Sequence, residues 1–251
     1  MTVLTDWIVS CLLLGLRIAP VFALAPPFSL VRMPRLFLML LGLGLSICLV
    51  SAYPAETALA DMSLHGIVVA AVRELLLGSL FLLAFHLVFG ALYLAGRTID
   101  IQSGYGFAVL VDPTSQQQTP LVGSLFAYAM GGVFFAAGGH IGLLRVLAAS
   151  LRAVPLGGWT LPGSLDRLAA FISMVMLIAF GVAGGAILVL FLVDLAIALM
   201  SRTIPQMNVL ILGFQVKTIV LFLALPASFG VAGALFLRLT AVLLDSLPRL
   251  V

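Results

Sequence analysis

Long apolar runs separated by short polar breaks dominate the chain, and nearly every break is marked by proline or glycine. A helix that crosses hydrocarbon needs about 20 mostly apolar residues. Six runs meet or approach that length: about Trp7–Ala25, Leu36–Ala52, Leu75–Ala95, Leu121–Leu144, Leu168–Leu199 and Val209–Leu244. The last two are longer than one span requires, which predicts tilt, a kink or two elements in each. Pro226 predicts a break in the sixth, because proline removes a backbone donor and clashes with the preceding turn. No two-residue alternation competes with this pattern. The fold class expected is all-α, a polytopic membrane protein of about six long apolar helices, several of them kinked. No 20–50-residue repeat is visible and no polar domain is appended, so residues 1–251 read as a single membrane domain.

Composition agrees. The chain is 63% hydrophobic and 8% charged, with a mean hydropathy of +1.30, against about 25% charged residues in a soluble domain. Its net charge of +3 is spread thinly, and no basic tract points to nucleic acid. Cys11 and Cys48 lie in apolar runs and read as small buried hydrophobes. Ala23-Leu24-Ala25 resembles the end of a signal peptide, but Asp6 is the only charge before the apolar run, so a retained helix is expected. Orientation from loop arginines is inconsistent. Arg32 and Arg35 place the first loop in the cytoplasm, which puts the fourth loop, with Arg145, Arg152 and Arg167, outside. Either the few charges carry a weak signal, or the helices do not form a simple serpentine.

Within the runs, Arg17, Arg73, Glu74 and Asp194 stand among apolar neighbours. Each costs about 2.5–3.5 kcal/mol on insertion scales if it faces hydrocarbon, so each is expected to face protein or water. Arg73 and Glu74 are adjacent on a helix and point apart, which predicts partners on other helices or subunits. Arg97 and Asp100, three residues apart, are placed to pair locally. The dispersal of these charges favours inter-helix anchors over a proton relay. His65, His86 and His140 are isolated from one another and from any HExxH pattern, so each is expected to serve packing, and no metal or cofactor is expected. Gly138 with Gly142, Gly181 with Gly185, and Gly230 with Ala234 have the four-residue spacing that lets helices approach closely. HExxH, GxSxG, Walker A and strand-borne GxGxxG signatures are all missing, so an enzyme is not expected.

Two breaks have more character. Gly104 to Pro113 offers flexible glycines at Gly104 and Gly106, an apolar set at Phe107, Val109, Leu110 and Val111, and a turn start at Asp112-Pro113. From its residues alone it is either a connecting loop or an apolar constriction of the kind that gates by excluding water. SRTIPQMNVLILGFQVK, Ser201 to Lys217, carries Arg202, Pro205, Gln206, Met207, Asn208, Gly213, Phe214 and the only lysine of the chain. Pro205 disfavours helix at Ile204, and Gln206 and Asn208 can satisfy backbone groups freed at a turn. Lys217 can snorkel or pair with a carboxylate from a neighbour.

Three stretches in this order resemble one family: GRTIDIQSGYGFAVLVDPTSQQQTP (Gly96 to Pro120), FFAAGGHIGLLRVLAASLRAVPLG (Phe134 to Gly157), and IPQMNV (Ile204 to Val209) followed by Gly213-Phe214 and Lys217. LRIAPVFALAPPFSLVRMPR and VRELLLG are also similar to family positions. Together they resemble the FliR/SctT family, membrane components of the flagellar and type III secretion export gate. Two departures stand out. Gln215-Val216 follow Gly213-Phe214 where the family often has proline, and Gly138 stands where an asparagine commonly precedes the Gly-His pair. Ile204-Pro-Gln-Met-Asn and Gly213-Phe214 look more like the flagellar branch.

The resemblance implies a subunit similar to a fusion of FliP- and FliQ-like proteins. It implies assembly with such partners, alongside FlhB-like and FlhA-like export proteins, into an entry pore for unfolded flagellar export substrates. The implied location is the bacterial inner membrane at the basal body, with helices packed against neighbouring subunits. Gly104 to Pro113 becomes the plug of the closed pore, and the Arg202 to Lys217 stretch a structured element on the cytoplasm-facing side. An injectisome subunit is the near alternative. A proton-coupled secondary transporter using Glu74 and Asp194 is the alternative from another class, although the repeats it would need are not visible.

Overall fold

The computed structural model describes residues 2–30, 33–59, 61–105, 120–160, 165–203 and 209–250. It is all-α, as expected, with no strand among the described residues. Helix α1 covers Thr2–Leu24, and a short 3-10 turn, Phe28–Leu30, leads to α2 at Arg35–Ala52. Helix α3 is Leu64–Ser103, α4 is Leu121–Ala136 and α5 is Gly139–Ala153. Two long helices complete the chain, α6 at Asp166–Thr203 and α7 at Val209–Leu250.

Several expectations change. The fourth apolar run is not one helix: α4 and α5 meet at a 71° bend. Its cause is Gly138, whose φ of 71° and ψ of 23° are left-handed. Gly138 therefore serves the break and not helix packing. Glycine and asparagine are the residues that adopt this conformation most readily, which explains why one can stand for the other here. The third run is much longer than Leu75–Ala95, because Arg73, Glu74 and Asp100 find partners inside the fold and do not terminate the helix. Nor does Pro226 break α7, which runs unbroken through it. One lost backbone bond is tolerated where an apolar setting offers the other backbone groups no alternative partner. Among the described residues four helices are long and apolar enough to cross a membrane, or up to five if the bent pair counts as one span, whereas α2 falls short. At 1.5 Å per residue, α3, α6 and α7 are each about 60 Å long, against about 30 Å of hydrocarbon.

The chain divides into two compact units. The first comprises Met1–Leu87, Phe134–Ile172 and Thr240–Val251; the second comprises Val88–Val133 and Ser173–Leu239. In the first unit, α1 and α2 approach so closely that a Cβ on Gly42 would lie 2.8 Å from the Cα of Ala19. Ser46 Oγ donates to the Cys11 carbonyl across the same contact. Cys11 is buried as expected, but Cys48 is exposed, on the face of α2 turned away from the core. Gly142 packs against Leu244, and Phe28 meets Phe22, Phe134 and Phe135 in an aromatic cluster.

In the second unit α3 and α4 touch backbone to backbone, since a Cβ on Gly96 would meet the Gly123 Cα at 2.5 Å. Phe126, Phe229 and Phe236 form its aromatic core. Gly181 and Gly185 face Leu235 and Ser228 at ordinary contact distances. Gly230 has nothing within 4 Å, so its pairing with Ala234 does not serve close packing within the described residues. Many large apolar residues remain exposed, among them Leu177, Leu188, Phe191, Phe222 and Leu223. This is the surface of a membrane-embedded protein.

Candidate functional site

Among the described residues each unit holds a polar centre. In the first, α1 carries Arg17 and α3 carries Glu74, and neither side chain has any exposure to solvent. Their meeting depends on Gly78, one turn beyond Glu74, where a Cβ would lie 2.6 Å from the Arg17 carbonyl oxygen. That glycine lets α3 press against α1 closely enough for a two-pronged ion pair. Arg17 Nε donates to Glu74 Oε2 at 2.6 Å and Nη2 donates to Oε1 at 2.9 Å. The fork-to-fork geometry is the strong form of this interaction. Nη1 also donates to Ser150 Oγ at 3.3 Å and Nη2 to the Val154 carbonyl at 3.2 Å. Glu74 Oε1 further accepts from the Gly157 amide at 2.8 Å, while Arg73 Nη1 donates to the Gly157 carbonyl at 2.8 Å. Arg73 and Glu74 thus do find separate partners, and both converge on the Pro155-Leu156-Gly157 loop after α5.

The second centre lies where α3 ends. Asp100, buried, accepts from the Val122 amide at 3.1 Å and from the Gly123 amide at 3.4 Å. These donors belong to the first turn of α4, which has no intrahelical acceptors for them and a partial positive charge that suits a carboxylate. Asp100 therefore caps α4 and does not pair with Arg97, which is exposed. Beside it, Lys217 Nζ on α7 lies 2.5 Å from Asp194 Oδ1 on α6 and donates to the Gln102 carbonyl at 3.1 Å. Of the two expectations for Lys217 the structure shows the pairing, with a carboxylate of the same chain and not of a neighbour. Gly213 packs on Ile197, and Phe214 meets Tyr105 edge-on at 6.2 Å.

Gly104, the first residue of the candidate loop, has a φ of 93°, a left-handed value that favours glycine. Gly106, Phe107, Val109, Leu110, Val111, Asp112 and Pro113 lie outside the described residues, as do Pro205, Gln206, Met207 and Asn208. Arg202 is exposed at the end of α6, and exposed His140 rests on the Phe135 ring, 5.8 Å between centroids. Gln102 and Tyr105 were not singled out from sequence; a glutamine two residues before a glycine at a helix end was the available signal. Among the described residues no cluster of His, Cys, Asp or Glu has the arrangement to hold a metal.

Both centres hold their carboxylates in fixed contacts, which suits anchoring more than proton transfer. Comparison with known proteins decides the class. Residues 8–242 match the family described as "Bacterial export proteins, family 1". The chain belongs to this family. It is 28% identical to the "Flagellar biosynthetic protein FliR" of Bacillus subtilis over 236 residues, which is 92% of this chain and 90% of that protein. The Escherichia coli protein of the same name is 25% identical over 79% of this chain and 76% of its own length. The "Yop proteins translocation protein T" of Yersinia pestis is 30% identical, over 61% of this chain and 60% of its own. The resemblance to the FliR/SctT family therefore holds, and the chain is a membrane-embedded component of a type III export apparatus.

Proposed function

We propose that the chain is the FliR-like subunit of the flagellar export gate in the bacterial inner membrane. With FliP- and FliQ-like partners, and with FlhB-like and FlhA-like export proteins nearby, it forms the pore through which unfolded flagellar substrates pass. Gly104 to Pro113 serves as its plug, and the chain performs no catalysis. The observation that carries this reading is the breadth of the flagellar similarity: the Bacillus protein matches 92% of the chain, whereas the Yersinia protein matches 61%. Helices about twice the thickness of the hydrocarbon layer support burial against other subunits. The left-handed Gly104 ends α3 at the first residue of this stretch, which supports a break there. The injectisome branch is the second reading, favoured by the 30% identity of the Yersinia relative over the part that aligns. A carrier is disfavoured, since Glu74 is locked on Arg17 and stands in the other unit from Asp194, so the two acids do not share a described site.

Expression with FliP- and FliQ-like proteins tests the assembly: copurification as one large complex is expected, and recovery of the chain alone would overturn it. Deleting Gly104–Leu110 tests the plug. Leakage of ions or small solutes through the assembled complex should rise, and unchanged leakage with normal assembly would remove the gating role.

A further inference from the structure

The last four carbonyls of an α-helix lack intrahelical donors. At the end of α3, three of them are met one by one. Ser103 Oγ donates to the Asp100 carbonyl at 3.0 Å, the Gly104 amide to that of Ile101 at 3.2 Å, and Lys217 Nζ to that of Gln102 at 3.1 Å. The first two donors are local, but the third comes from α7, 115 residues away in sequence. Gln102 is tied a second time, through its side-chain amide to the Ile187 carbonyl of α6 at 3.2 Å. Tyr105 then packs edge-on against Phe214, on the same helix as Lys217. An ammonium also suits the partial negative charge of a helix C-terminus, and Asp194 fixes where that ammonium sits.

We propose that Lys217, held by Asp194, is a positioning residue that pins the C-terminal end of α3, up to Tyr105, against α6 and α7. The pair is not sealed in the core: the Lys217 side chain is 19% exposed and that of Asp194 41%. The pinning stands on the described residues alone; its consequence for gating rests on the plug reading above.

Hydrogen exchange at Ser103, Gly104 and Tyr105, followed in the purified complex with its FliP- and FliQ-like partners, tests the proposal. K217M should speed exchange there about tenfold, as expected for losing one charge-assisted hydrogen bond, with α5 unchanged. K217R, which keeps the cation, should restore most of the protection. D194N, which keeps the lysine but frees it, should give a smaller rise at the same amides. Unchanged exchange in both K217M and D194N would overturn the pinning, and so would a rise that extends equally to α5. Leakage of the loop deletion, measured alongside, separates the two ideas. A leaking deletion with unaltered exchange in K217M keeps the plug and removes the pin. Faster exchange in K217M with a tight deletion keeps the pin and removes the plug.

Discussion

The polar centres of the two units use the same elements of chemistry to opposite ends. Arg17 and Glu74 are fully buried, bind through two prongs and have their remaining positions met by Ser150, Val154 and Gly157. Lys217 and Asp194 make a single contact at a partly exposed place, and the lysine spends a second hydrogen bond on the end of α3. The first is a bolt that fails only with the fold; the second is a clamp that can be loosened. The partners decide the difference: without Glu74 the buried Arg17 has no counter-charge, whereas Lys217 without Asp194 keeps the Gln102 carbonyl.

Breaking the bolt should produce the largest effect. Glu74→Ala leaves Arg17 buried without its counter-charge, at a cost of about 3–5 kcal/mol. Loss of folded protein is expected in a detergent stability assay, with partial recovery when Arg17→Met is added. A Glu74→Ala protein as stable as wild type would show that the pair is replaceable. Gly78→Ala leaves both charges in place but forces the backbones of α1 and α3 apart. It should destabilise by about 1–3 kcal/mol, in the range of overpacking, read as a lower melting temperature. A neutral result would mean that the ion pair does not require so close an approach.

Loosening the clamp should cost far less. Asp194→Asn is expected to lower global stability by less than Glu74→Ala does, because Lys217 keeps its bond to the Gln102 carbonyl. A loss as large as that of Glu74→Ala would erase the distinction between the two centres. The smallest effect concerns Asp61, fully exposed ahead of α3. Its carboxylate accepts from the Ser63 amide and hydroxyl, and Ser63 in turn accepts from the Gly66 amide, capping the helix. The Ser63 bonds hold the Asp61 carboxyl below the ordinary carboxylate value, with nearby His65 adding to the effect. The stabilisation is present above that ordinary value and is lost as pH falls through the lowered one. Protection of the Gly66 and Ile67 amides, taken against the intrinsic exchange rate at each pH, should therefore fall on acidification, and Asp61→Asn should abolish that fall. A dependence that survives the substitution would point to another group.

Much of this was readable from single residues. The apolar runs required helices, the isolated Arg17 and Glu74 required partners, and the divergence of Arg73 from Glu74 required that those partners be separate. The Arg97–Asp100 pairing went the other way, because sequence spacing cannot reveal that the first amides of α4 arrive beside Asp100. The bend at Gly138 was equally hidden. A glycine in an apolar run reads as a packing position, and only its left-handed backbone marks it as a break.

The sequence by itself determined that the chain is helical and membrane-embedded and, through its ordered signatures, which family it belongs to. These follow from local properties: apolar length, residue type and order. Tertiary structure decided which carboxylate meets which cation, where helices end, and which of the two pairs is sealed from solvent. Those outcomes depend on the approach of helices separated by 57 residues for Arg17 and Glu74 and by 115 for Lys217 and Gln102. Contacts between such distant positions are set by backbone packing at glycines such as Gly78, a property of two helices together that neither segment carries alone.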